Sequence, residues 1–114
     1  MRPSNFATRY YSNKQEKQVA KSVGGHKTAN SGATAFVKGD VLTKDWLIEC
    51  KTVTEPRKQM SVKKEWIEKN REEAFQMGKH HSTVVIQFEP DGENHYIISE
   101  KDFKRLLEID EGDI

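Results

Sequence analysis

Asp40 precedes Glu49 by nine positions, and Glu49-Cys50-Lys51 follows directly on the apolar run Trp46-Leu47-Ile48. A strand alternates faces with period two, so Glu49 and Lys51 share one face and Cys50 takes the other. Gly39-Asp40-Val41-Leu42-Thr43 reads as the preceding strand and Lys44-Asp45 as the turn. If that hairpin closes with a two-residue turn, Thr43 faces Trp46 and Asp40 lies directly across from Glu49. Facing residues hold their Cβ atoms roughly 4.5–5.5 Å apart. Two carboxylates that close repel unless a cation sits between them, and a divalent metal suits oxygen donors best. Lys51 adds a positive charge on the same face. This chemistry fits metal-assisted hydrolysis of a phosphodiester. Spacing alone also fits a surface hairpin with ordinary charges. What sets this one apart is that the acid and the lysine interrupt an apolar run instead of lying in a polar loop.

A third acid lies upstream. Ser12 to Val23 reads as a helix, with Ser12 or Asn13 as N-cap and Gly24-Gly25 as the stop. Glu16 stands three, four and seven positions before Val19, Ala20 and Val23. It therefore shares their inward face and not the outer face of Lys14, Lys17 and Lys21. An acid on a buried stripe is costly unless paired or metal-bound. The plainer reading is an acid at the stripe boundary, one turn into the helix, where it favours the helix dipole.

Glu16 on a first helix, the Gly24-Gly25 stop, a short Ser-Gly loop, and Asp40 with Glu49-Cys50-Lys51 on a hairpin together resemble the PD-(D/E)xK nuclease superfamily. Within it, the chain looks like the small archaeal-type Holliday-junction resolvases and their phage-encoded relatives, over residues 12–89. The resemblance implies an α/β chain with a restriction-endonuclease-like core, a central mixed β-sheet flanked by helices. It also implies that Asp40, Glu49, the carbonyl of Cys50 and Glu16 serve Mg²⁺, with Mn²⁺ able to substitute. Lys51 would serve the attacking water or the transition state. Ser31, in Asn30-Ser31-Gly32, matches the serine those enzymes carry in the loop between the first helix and the metal-binding aspartate. Gly39 stands where the family pattern has proline, a departure common in the superfamily. The activity implied is Mg²⁺-dependent cleavage of branched DNA such as Holliday junctions. Two matched nicks on opposite strands require two active sites, hence a homodimer. Restriction, repair and packaging nucleases share the catalytic core, so a nickase or end-processing nuclease of phage DNA repair or packaging is an alternative. A non-catalytic DNA-binding module is the other, although a pure binder gains nothing from buried, repelling acids.

Length and composition fit one small domain. With 114 residues, 34 % hydrophobic and 32 % charged, the chain can build a single lean core. No apolar run approaches the ~18 residues of a membrane span. Met1-Arg2-Pro3 starts no signal peptide, and a single cysteine, Cys50, fits a reducing cytosol. A cytoplasmic location is the expectation, the host's cytoplasm if the chain is phage-encoded. Cys50 is expected to pack into the core behind the active face.

The formal net charge of +1 conceals a division. Residues 1–64 carry 13 Lys+Arg against 5 Asp+Glu, whereas residues 65–114 carry 6 against 13. The basic half bears the proposed site, where a positive field would attract a phosphate backbone. Lys27, Lys38, Lys63 and Lys64 are candidate DNA contacts, the bland alternative being solvated surface. Related nucleases use a polar or basic residue of the second helix near the scissile phosphate, and Lys69 is the candidate here.

The remaining segments form the scaffold. Residues 1–11, with Phe6, Tyr10 and Tyr11, read as an N-terminal arm, 12–108 as the nuclease domain and 109–114 as a frayed acidic tail. His26 to Ala29 is a short strand. Gln59 or Ser61 opens a helix to Met77, with Gly78 as stop and Val62, Trp66, Asn70, Ala74 and Met77 as its inner stripe. His80-His81 is expected in an exposed turn. Ser82 to Phe88 is a strand buried on both faces, Pro90 to Glu93 a turn, and His95 to Ile98 the next strand. Ser99 caps a final helix, with Asp102 three residues on.

Overall fold

The computed structural model describes residues 3–28 and 40–112, with side chains from Phe6 onward. Its elements are α1 (Pro3–Val23), β1 (His26–Lys27), β2 (Val41–Leu42), β3 (Trp46–Lys51), α2 (Lys64–Gln76), β4 (His81–Ile86), β5 (His95–Ile97) and α3 (Glu100–Glu111). The strands form one five-stranded mixed sheet in the order β1-β2-β3-β4-β5. β1, β2 and β3 make an antiparallel meander, α2 carries the chain across to β4 parallel to β3, and β5 returns antiparallel. The chain is thus α/β, with three helices about a mixed sheet among the described residues. Among the described residues, no helix is long and apolar enough to cross a membrane.

α1 covers one face through Val19, which packs with Val41, Ile48 and Val85 in the apolar cluster. Ala20, Trp46 and Cys50 lean against it, so Cys50 packs behind the acidic face as expected. α1 stops at Gly24, where φ is 71°, and the Gly25 N–H reaches back to the Ala20 carbonyl at 2.9 Å. Only glycine takes that left-handed turn cheaply. α2 covers the other face. Its fully buried Asn70 donates to the carbonyls of Leu47 (3.4 Å) and Thr83 (3.1 Å), tying the helix to β3 and β4 together.

Several boundaries differ from the sequence expectation. α1 begins at Pro3 and not at Ser12, so residues 3–11 are helical. Phe6, Tyr10 and Lys14 stack four residues apart and support the extra turns, overriding the cap propensity of Ser12 and Asn13. α2 begins at Lys64, its N-cap Lys63 is extended with no side-chain cap, and Val62 lies outside the helix, 40 % exposed. α3 runs through Glu111, so residues 109–111 of the expected acidic tail are helical. Ser99 caps α3 as expected, its Oγ accepting from the Asp102 N–H at 3.1 Å. His81 is not an exposed turn residue. It is the first residue of β4, stacks on Trp46 at 4.7 Å and meets Asp102 Oδ1 through Nδ1 at 2.8 Å. The parallel register that sets Trp46 beside His81 explains this. His80 is exposed, as expected.

Candidate functional site

The β2–β3 hairpin sets the site. Val41 pairs with Ile48 and Leu42 with Leu47. The Thr43 N–H donates to the Trp46 carbonyl at 3.1 Å, closing the turn. Continued outward, this register sets Asp40 opposite Glu49. Backbone bonds at the start of β2 fix Asp40: its carbonyl accepts from the Thr28 N–H at 2.8 Å, and its own N–H donates to Thr28 Oγ1 at 3.3 Å.

Asp40 is 8 % exposed, and its carboxyl is pushed up to about 8. Burial is the main cause, followed by the like charges of Glu49, Glu73 and Glu16, with Lys51 pulling the other way. Lys51 stands on the same face as Glu49. Its Nζ lies 3.1 Å from Glu49 Oε2 and 4.6 Å from the centroid of the Trp66 ring on α2. The carboxylate and the ring face hold the ammonium along the sheet surface.

Glu16 reaches the same region from the other side. It is buried on the inner stripe of α1, and Lys27 Nζ approaches its Oε1 at 3.4 Å. Lys27 pairs with Val41 across the sheet and so lies on the α1 face, away from Glu49. Among the described residues, no side chain completes a hydrogen bond of good geometry to the buried Glu16 Oε1. Burial raises the Glu16 carboxyl above its ordinary range, and Lys27 partly offsets the rise.

Glu73 belongs to the site and was missed from the sequence. It lies three residues after Asn70 on the inner side of α2 and is buried at 9 % exposure. Burial raises its carboxyl first, then repulsion from Glu49, while Lys69 one turn earlier opposes the rise. The signal was available: Glu73 adjoins Ala74 and follows Asn70 by three on a stripe already read as inward. Gln15 was missed as well. Fully buried beside Glu16, it brings Nε2 within 3.2 Å of the Lys51 carbonyl, 3.4 Å of the Val85 carbonyl and 3.2 Å of Asn94 Oδ1. Behind it, Gln87 donates to Gln18 Oε1 (2.8 Å) and accepts from Thr52 Oγ1 (2.6 Å). The end of β3 that bears Lys51 is thereby pinned to α1 and to the segment after β4.

The other candidates fall elsewhere. Lys63, Lys64 and Lys69 are exposed on α2 or just before it, and Lys64 pairs with Glu68 at 3.6 Å. Lys27 is half-buried against Glu16. Ser31 and Lys38 lie outside the described residues. Burial and the neighbouring Glu16, Asp40 and Glu49 carboxyls raise the Cys50 thiol far above its ordinary range, which keeps it a neutral packing group.

The donor chemistry suits a hard divalent cation. Glu49, Glu73 and Glu16 each add negative charge around the buried Asp40, and Lys51 offsets it only in part. Among the described residues, no three acids, histidines or cysteines converge as a preassembled ligand set. A cation here would draw on Asp40 and Glu49 from one face and complete its shell with backbone oxygen and water. No family profile, curated protein or solved structure matches this chain.

Proposed function

We propose that the chain is a metal-dependent DNA endonuclease of the PD-(D/E)xK type, hydrolysing phosphodiesters in branched DNA such as four-way junctions. The observation that carries this reading is the buried Asp40 set opposite Glu49 by the hairpin register, its carboxyl pushed up to about 8 by burial and by surrounding acids. A fold gains no stability from such crowding, so the acids point to a cationic ligand. The topology supports a restriction-endonuclease-like core: helix, antiparallel meander, crossover helix, then a strand parallel to the third.

Asp40, Glu49 and the carbonyl of Cys50 would hold Mg²⁺ or Mn²⁺, with Glu16 engaging directly or through water. When bound, the ion supplies positive charge against the charge developing at phosphorus and makes water a stronger nucleophile at neutral pH. Lys51, positioned by Glu49 and Trp66, orients the attacking water or donates to the developing oxyanion. Gln15 holds the Lys51 backbone so that the side chain leaves β3 at a fixed point. Glu73 adds a further carboxyl beside Glu49.

Incubation with end-labelled duplex, nicked, flap and four-way DNA, with and without Mg²⁺, tests this reading. Metal-dependent cleavage favouring the four-way substrate is expected. Cleavage of nicks, flaps or ends instead would move the substrate to repair or packaging. Tight binding with no cleavage in Mg²⁺ or Mn²⁺ would overturn the enzymatic reading.

A further inference from the structure

The first half of α1 takes no part in the site, and its surface is distinctive. From Phe6 to Lys14 no side chain is buried, and burial begins only at Gln15. Phe6 is 73 % and Tyr10 49 % exposed, yet their rings lie nearly parallel, with centroids 6.3 Å apart and 19° between planes. Lys14 continues the stripe, its Nζ 5.6 Å from the Tyr10 centroid, and Tyr11 meets Tyr10 edge-on at 5.0 Å. Spacing of four residues places Phe6, Tyr10 and Lys14 on one side of the helix. The outward charges that α1 itself contributes around the stripe are of one sign. The only acid in α1 is Glu16, which is buried inward, so its outward charges are Arg9, Lys14, Lys17 and Lys21. Lys14 also meets Asp91 at 2.8 Å, which fixes the base of the stripe to the turn after β4.

An exposed ring stack among mainly basic side chains is complementary to a ligand that offers both flat π-faces and negative charge. Unpaired nucleotides combine the two, because each base can stack on a ring while its phosphate meets a cation. A paired duplex hides its base faces in the stack and would engage the lysines alone. An acidic protein surface would match the charge without needing parallel rings.

We propose that the N-terminal half of α1 binds single-stranded DNA, stacking unpaired bases on Phe6 and Tyr10 while Arg9 and Lys17 meet the phosphates. This goes beyond the nuclease reading: it adds a grip on single-stranded stretches, outside the acidic site, that a fully paired four-way junction does not itself supply. The binding itself needs neither metal nor cleavage.

Fluorescence anisotropy with a short fluorescein-labelled oligo(dT) and a fully paired hairpin duplex, in EDTA, provides the test. The double variant Phe6→Ala/Tyr10→Ala is expected to bind oligo(dT) about tenfold or more weakly, within the range of base–aromatic stacking, and to bind the duplex as before. Phe6→Leu/Tyr10→Leu keeps apolar bulk and helix propensity but lacks π-faces, and the same loss is expected of it. Arg9→Gln should lower the salt slope of oligo(dT) binding by about 0.7. Wild-type oligo(dT) affinity in either ring variant would overturn the proposal. So would equal loss on both probes, or a mass in light scattering that falls to half of wild type without DNA, which would assign the rings to a second copy of the chain. With no metal and no cleavage in the assay, its failure would leave the nuclease reading standing, and a failed cleavage assay would leave the stacking surface standing.

Discussion

Asp40 is a carboxylate that the fold makes hard to ionise. Unfolded, it titrates near 3.8; folded and metal-free, at about 8. Between those values the folded chain keeps a proton that the unfolded chain has lost, so stability falls as pH rises through the window. Glu16 and Glu73, also raised, act in the same direction. The metal-free protein is therefore expected to lose thermal stability from about pH 4 to 8. Mg²⁺ or Mn²⁺ should restore it at the upper end, since a cation that binds only the folded chain stabilises it. Asp40→Asn should flatten both the pH and the metal dependence. A melting temperature that stays level over this range in EDTA would contradict the burial assigned to Asp40. For Lys51→Ala the expected loss is about 10²- to 10³-fold in the single-turnover rate, the usual effect of removing one transition-state donor. Affinity should change little, because one phosphate contact is a small part of a broad basic surface. A variant with normal rate at saturation and weakened binding would remove Lys51 from the chemistry. Asp40, Glu49 and Lys51 were legible in the sequence because strand alternation and one short turn fix their relation. Glu73 was missed although its spacing from Asn70 marked it as inward; that it meets Glu49 depends on how α2 lies over β3, which no local pattern encodes.

The elements that read most clearly were those with local punctuation. The β2–β3 hairpin, the glycine stop of α1 and the serine cap of α3 stand where period-two alternation, Gly24-Gly25 and Ser99 set them. The helix starts were less legible. Ser12 and Ser61 are good cap residues that cap nothing, because tertiary contacts and the Phe6–Tyr10–Lys14 stripe decide where α1 and α2 begin. His81 is half-buried by its strand partner Trp46 and by Asp102 from α3, neither of which is near in sequence. Asn70 read as one member of an apolar stripe, whereas it bridges the carbonyls of two neighbouring strands. Asn70→Ala leaves both carbonyls without that donor and is expected to cost about 1–3 kcal/mol, read as a lower urea midpoint with an unchanged slope. An unchanged midpoint would show that α2 is held by its apolar contacts alone.

For the whole molecule, the proposed function carries a symmetry requirement. A domain of 114 residues has room for one such site, and matched nicks on opposing strands of a four-way junction need two sites related by a two-fold axis. Exposed Phe103, Leu106 and Ile109 on α3 provide apolar surface for such a contact. Light scattering should therefore give a dimer on a junction, with symmetric nicks, and competition binding should favour the junction over linear duplex of equal length. A protein that stays monomeric on DNA, or cuts duplex as readily, would leave the nuclease chemistry and remove the junction preference. The most direct test of the account is the single-turnover cleavage of end-labelled four-way DNA in Mg²⁺ by wild type and by Asp40→Asn, both at saturating protein. The account predicts Mg²⁺-dependent product from wild type and none from Asp40→Asn, with DNA affinity in the variant equal or higher because a repelling carboxylate is gone. Wild-type cleavage by Asp40→Asn would contradict it.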